Sequence, residues 1–284
     1  MNAIPHSITH ERQLGIIMLE LGLLRTEQIE PILRTQNELD LPFGSTAVHL
    51  GLLTEEQLQQ ALFSQFDYPY LMPGTGEFSS HLVAAYEPAS PQVEMLRTIR
   101  GQLLLRWFTS SRRVLAVVSP NSGDGRSYIT ANLGIVFSQM GGNTLLIDAN
   151  LRAPRLHELF KLDNRRGLSS ILAGMTKGDA IQRVPHFKKL SVLVAGPQPP
   201  NPSELLARPF YVEMINKLSA NYEIIIIDTP AGLVCSESAM IAVRAGGALT
   251  VARKHHTRLN DLRQLTESIC DAGAEVVGNV LNEI

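Results

Sequence analysis

A chain of 284 residues with 44% hydrophobic side chains is long for one core and ample for two. Its 25 basic and 27 acidic residues leave a formal charge of −2, which excludes a globally basic surface for nucleic acid or anionic lipid. Cys235 and Cys270 stand far apart, in no CxxC or Cys/His spacing, which argues against disulfides and structural zinc and fits a reducing compartment.

The chain begins MNAIPHSITHERQLG, polar and charged where a signal peptide needs an apolar core. No apolar run approaches about twenty residues, so a cytoplasmic chain without direct membrane insertion is expected. Residues 13–36 and 42–65 then align without a gap at an offset of 29. Gly15, Gly22, Leu23, Leu24, Gln28, Ile29, Leu33 and Gln36 fall on Gly44, Gly51, Leu52, Leu53, Gln57, Leu58, Leu62 and Gln65. Each copy reads as a short amphipathic helix, a glycine stop, and a second helix capped by Thr26 or Thr54. Two stacked helical hairpins over residues 1–70 would make one small, mainly helical domain.

Residues 71–92 carry Pro73, Gly74, Gly76, Ser79, Ser80, Pro88, Ser90 and Pro91 without apolar periodicity, the composition of a linker. From residue 93 to 284, β-rich runs alternate with helical patterns. Strands are expected at 114–118, 144–148, 190–195, 223–228, 248–252 and 275–281. Their near-continuous apolar character predicts a doubly wound α/β domain whose parallel sheet is covered on both faces.

The first strand of that domain runs into a glycine-rich turn, SPNSGDGRSYITANLG, that opens a helix near Arg126. Gly123 and Gly125 let backbone N–H groups converge on a phosphate at the helix N-terminus, and Ser127 supplies a hydroxyl where P-loops hold Mg²⁺. Arg126 stands where the P-loop pattern has lysine, keeping the charge on a planar fork. Alone, the segment also reads as a plain strand-to-helix turn. Two later strands end in Asp148 and Asp228, which a parallel sheet brings to the edge carrying the glycine turn. A single such aspartate is more often a cap or turn residue; three strand ends meeting around one turn favour a nucleotide site.

Asp148 with Arg152 and Pro154, followed by LHELF, GLSSILAG and AGPQPPNPSELL, resembles the bacterial tyrosine kinases of the polysaccharide co-polymerase system over residues 93–284. With the N-terminal repeat and Arg126, the resemblance is to the EpsG type of exopolysaccharide loci. It implies that Ser122, Gly123, Asp124, Gly125, Arg126, Ser127 and Tyr128 contact ATP. It also implies that Ser127, Asp148 and Asp228 serve Mg²⁺, and that Arg126, Asp148 and Asp228 are catalytic, with Asp148 taking the tyrosine proton. Glu94, Arg97 and Arg100 match the family's E-x-x-R-x-x-R subunit helix, which implies a homo-oligomer; a solvated helical face is the plainer reading.

The implied partner is a membrane-embedded chain-length determinant, which would hold a cytoplasmic protein at the inner membrane. Two departures stand out. Asn150 replaces the family's second aspartate, and no tyrosine follows Tyr222, where the family carries a C-terminal tyrosine cluster. Tyr68, Tyr70, Tyr86, Tyr128 and Tyr211 are scattered, and only Tyr86 is expected to be accessible.

The doubled N-terminal pattern resembles the GspE or MshEN domains of type II secretion ATPases, some of which bind cyclic di-GMP through an opening Arg-Leu-Gly. Here the copies open Gln13-Leu14-Gly15 and Pro42-Phe43-Gly44, with Arg12 one residue early. Neither Gln nor Pro replaces the arginine fork, so protein docking is favoured over second-messenger binding. Three functions are thus carried forward: a tyrosine kinase, an ATP-dependent switch with little transfer, and a MinD/ParA-like partitioning ATPase. The last expects a further lysine at Asn121. Arg253, Lys254, His255, His256 and Arg258 read as a solvated basic loop.

Overall fold

The computed structural model describes residues 14–66, 68–72, 74–176 and 180–283. The chain divides into two compact units, residues 1–70 and 71–284.

In the first unit, helical residues 14–20 and Thr26–Leu39 form one pair, and Phe43–His49 and Glu55–Gln65 the other. Gly22 and Gly51 end the first helix of each pair at φ +68° and +66°, a backbone state that favours glycine. The buried side chains repeat as the sequence does. Leu14, Met18, Leu24 and Ile32 are matched 29 residues later by Phe43, Ala47, Leu53 and Ala61. Thr54 caps Glu55–Gln65, its hydroxyl accepting from Gln57 N while Gln57 Oε1 accepts from Thr54 N. Thr26 does not do the same. The repeat sets Arg25, not Thr26, opposite Thr54, and Gln28 Oε1 accepts from Arg25 N at 2.7 Å. Arg12 and Gln13 lie outside the described residues.

The second unit is built on seven strands: β1 (Val114–Val118), β2 (Thr144–Asp148), β3 (Ile181–Arg183), β4 (Leu190–Leu193), β5 (Ile224–Asp228), β6 (Gly247–Arg253) and β7 (Glu275–Asn282). Their order is β3-β4-β2-β5-β1-β6-β7, parallel throughout except for β3 against β4. Strands β1, β2, β4 and β5 are buried at every residue, as a sheet covered on both faces requires. Alternation divides their side chains between two cores. Leu115 and Val117 join helices Pro91–Arg106 and Arg126–Gln139 on one face. Val114, Ala116 and Val118 join helices Pro209–Asn221, Glu237–Ala245 and Leu259–Asp271 on the other. The six expected strands are present; β3 is an addition.

The expected linker is corrected. Residues 71–92 belong to the second unit, where Leu71, Phe78, Leu82, Ala84 and Ala85 enter its core. Phe78 packs edge-on to Phe160 at 5.7 Å. Asn132, fully buried in helix Arg126–Gln139, accepts from Ala84 N and donates to the His81 carbonyl, both at 3.0 Å. Polar turn residues therefore carry a segment that apolar anchors hold down. Tyr86 is likewise not freely accessible: it is half-buried, its hydroxyl accepting from Phe78 N at 2.8 Å and donating to Phe78 O at 3.1 Å.

Candidate nucleotide site

Residues 119–125 link the end of β1 to helix Arg126–Gln139 at the C-terminal edge of the sheet, the edge at which open α/β sheets bind ligands. Gly123 and Gly125 take φ +83° and +104°, which turns the loop over the helix N-terminus. A Cβ on Gly125 would fall 2.1 Å from Nδ2 of Asn282, so this close approach requires glycine. Strand β5 lies between β1 and β2, and its register sets Asp228 beside Asp148 and Val117. The three strand ends meet as the sequence predicts.

Ser127, in the first turn of the helix, donates its hydroxyl to Asp228 Oδ2 at 2.5 Å. Asp228 is fully buried, and its Oδ1 has no hydrogen-bond partner among the described residues. A buried carboxylate oxygen without a donor is costly unless a cation supplies the missing charge. That donor set, a hydroxyl and a carboxylate oxygen, fits Mg²⁺. Asp148 is equally buried but fully held: Oδ1 accepts from Asn150 N at 3.2 Å, and Oδ2 from Arg155 N and Leu156 N, each at 3.0 Å. Burial raises the proton affinity of both carboxyls, and Asp228 raises that of Asp148 further.

Arg126 behaves differently from the expected phosphate clamp. The residue is 8% exposed, and its guanidinium donates to Ser119 Oγ, to Asn121 O at 2.7 Å and to Thr229 O at 2.8 Å. The fork ties the loop to itself and to the end of β5, a task for which a compact ammonium has the wrong shape. Asn150 is similarly engaged, its amide and carbonyl closing on Ala153 O at 2.7 Å and Ala153 N at 3.2 Å. Ser122 is exposed on the outer turn, while Tyr128 is half-buried against the core, its proton affinity raised by burial and by Glu87.

The side chain of Asp124 points inward. It is fully buried and accepts from Asn121 N at 2.8 Å and Thr257 Oγ1 at 2.7 Å, with His256 Nδ1 at 3.0 Å. Arg253 Nη1 donates to Gly123 O at 3.3 Å, and Asn282 Nδ2 to Asp124 O at 3.1 Å. The basic loop after β6 and the end of β7 thus brace the phosphate loop from behind. Lys254, His255, His256 and Arg258 stay exposed, as a solvated loop requires, while His256 and Arg253 also have partners in the phosphate loop. Their role had a weak sequence signal, since both follow a strand that ends at the same sheet edge.

A second cluster flanks the aspartates. Glu237, 1% exposed in its side chain, accepts from Arg152 Nε and Nη2 at 3.0 and 2.7 Å and from Ser203 Oγ at 2.8 Å. Burial works against its ionisation, but bonds from Cys235, Arg152 and Ser203 hold its pKa down to about 2. The loop after β2 is pinned to helix Glu237–Ala245 by this charge. The subunit residues expected on helix Pro91–Arg106 are engaged within the chain. Glu94 pairs with Arg97, and Arg100 Nη1 donates to Val136 O at 2.6 Å.

Comparison with known proteins gives this geometry a lineage. Tyrosine-protein kinase YwqD of Bacillus subtilis (strain 168) is 32% identical over 202 residues, which cover 71% of this chain and 85% of YwqD. The chain belongs to the bacterial tyrosine-protein kinases. EpsB of Ralstonia nicotianae is 34% identical over 213 residues, 74% of this chain; the chain spans only 28% of EpsB. Among solved structures, the kinase domain of Escherichia coli tyrosine kinase ETK superposes with a TM-score of 0.68 at 29% identity, covering 72% of this chain and 80% of that one. The septum site-determining protein MinD of Pyrococcus horikoshii OT3, solved with Mg-ADP, reaches 0.52 at 28% identity, over 60% of this chain and 69% of its own. No family model matches the chain. The fold is therefore shared with proteins named tyrosine kinases.

Proposed function

We propose that this chain is an ATP-dependent protein-tyrosine kinase acting in exopolysaccharide biosynthesis. The observation that carries the reading is the register pair Asp148 and Asp228 beside the phosphate loop, with Ser127 bonded to Asp228. The backbone of residues 122–127 holds the triphosphate at a helix N-terminus, and Arg126 keeps that backbone in shape. Ser127 Oγ and Asp228 Oδ1 would hold Mg²⁺, which would neutralise charge on the phosphates.

Asp148, fixed by three backbone N–H groups, takes the proton from the tyrosine hydroxyl as the O–P bond forms and the γ-phosphoryl bond to ADP breaks. Its raised proton affinity suits a base working near neutrality. The acceptor is supplied by another segment or chain. All six tyrosines of this sequence are buried or half-buried among the described residues, Tyr211 fully so.

By family resemblance, the partner is a membrane-embedded chain-length determinant that brings a cytoplasmic kinase to the inner membrane. Among the described residues no helix is long and apolar enough to cross a membrane. A homo-oligomer through helix Pro91–Arg106 is supported by its exposed Met95 and Leu105, and the N-terminal unit is read as a GspE/MshEN-like docking module. No feature of the described N-terminal residues adds weight to cyclic di-GMP.

A nucleotide switch is the second reading, favoured by the engagement of Arg126 and Asn150 in loop structure. Incubation with MgATP and a tyrosine-containing cytoplasmic segment of the partner, followed by phosphosite mapping, separates the two. Kinase activity gives phosphotyrosine that falls at least 100-fold in Asp148→Asn, roughly what loss of a general base costs. ATP binding without phosphotyrosine supports the switch. An undiminished signal from the variant removes Asp148 as the base.

A further inference from the structure

A cavity of about 720 Å³ opens at the other end of the sheet, where β1 and β7 begin and helices Pro209–Asn221 and Glu237–Ala245 end. Five residues of parallel strand, about 17 Å, separate that edge from the phosphate loop. Three arginines line it, Arg112, Arg113 and Arg244, against one carboxylate, Glu275. Glu275 is already used, accepting from Arg112 Nη1 at 3.1 Å.

The other two guanidiniums have no carboxylate partner among the described residues: they bond backbone carbonyls, and Arg244 also lies over the Tyr211 ring, 5.8 Å from its centroid. Arg113 donates to Ser110 O at 3.2 Å and Ser219 O at 2.9 Å, and Arg244 donates to Ala207 O at 3.0 Å. Each caps a carbonyl near a helix end and keeps further N–H donors. Arg113 retains Nη2, and Arg244 retains Nε and Nη1. The hydroxyls of Ser110 and Ser111 line the same space.

A guanidinium is weakly hydrated for a cation, so an acceptor of opposite charge readily replaces the water on its free N–H donors. A concave wall carrying an excess of two positive charges with hydroxyls alongside matches a tetrahedral oxyanion, whose several oxygens accept from forks on different walls. A carboxylate's acceptor sites lie in one plane, whereas those of a tetrahedral oxyanion point to several walls at once. We propose that this cavity is a second anion site, distinct from the phosphate loop, which takes the phosphate or pyrophosphate group of a small molecule.

The test uses the full chain with inorganic pyrophosphate as probe. Calorimetric titration is run on protein saturated with MgADP, so that the phosphate loop is already filled, and again without nucleotide. A binding event that persists under saturation is expected. It should weaken about tenfold in Arg113→Gln and in Arg244→Gln, the cost of one charged hydrogen-bonding partner. MgADP affinity should stay unchanged in both. Glu275→Gln frees Arg112 and should tighten the event several-fold, an outcome that no misfolded variant can imitate. Absence of the saturation-resistant event, or its indifference to all three substitutions, overturns the proposal. Binding to phosphatidylglycerol vesicles without pyrophosphate binding also overturns it.

Discussion

Asp148 and Asp228 share a buried edge with one hydroxyl donor and three backbone N–H groups, so two negative charges there are held at a cost. Both carboxyls bind protons more tightly than the unfolded chain does. A raised pKa favours folding while the group is protonated, and that contribution is lost as pH climbs from the ordinary carboxylate range through the raised value. Metal-free protein should therefore melt at lower temperature at pH 8 than at pH 5. Mg²⁺ should restore more of that stability at pH 8, because protons compete for the same oxygens; differential scanning calorimetry with and without the ion reads both effects.

Arg126 presents the opposite case, a charge fully absorbed by its surroundings. Arg126→Lys removes at least one of its three bonds and should cost about 1–2 kcal/mol of stability, seen as a lowered denaturation midpoint. The shorter ammonium is then free to meet the γ-phosphate, so the preference for ATP over ADP should rise.

The bracing of the phosphate loop is a property of elements that sit far apart in the chain. Asn282 ends β7, 158 residues from the Asp124 carbonyl it bonds, and fills the space above Gly125. Asn282→Ala leaves that carbonyl unmet and the loop unsupported. Stability should fall by about 1 kcal/mol, and MgADP affinity should fall several-fold by calorimetry.

The central strands were legible because burial on both faces writes them as unbroken apolar runs, as in Ile224–Asp228. Strand β3 was not. Three residues at an antiparallel edge, Ile181–Arg183, carry no period to detect. Of the site, Ser127, Asp148 and Asp228 were legible because each ends a strand or stands in the first turn of a helix. His256, Thr257, Asn282 and Glu237 were not, since what they do depends on which loops the fold makes neighbours. The linker was misread for a related reason: prolines and glycines describe its turns, but Leu71, Phe78 and Leu82 decide where it goes.

At the scale of the molecule, the unit that begins at Leu71 owns its own two cores and the whole nucleotide site. A fragment of residues 71–284 should fold alone and bind MgADP as the full chain does. A fragment of 93–284 should not. Without residues 71–92, the buried surface under Phe78, Leu82, Ala84 and Ala85 meets water, and Asn132 loses two partners. Aggregation or a strongly lowered melting temperature of the shorter fragment would be the readout.

Because Asn282 and the segment 253–257 supply the back wall of a loop formed by residues 119–125, a ribosome that has emitted only the first half of this polypeptide exposes the glycine turn without its mould. ATP in the surrounding fluid then finds nothing shaped to grip it. Nucleotide capture is therefore expected to follow the joining of β7 to the sheet rather than to guide the earlier strands.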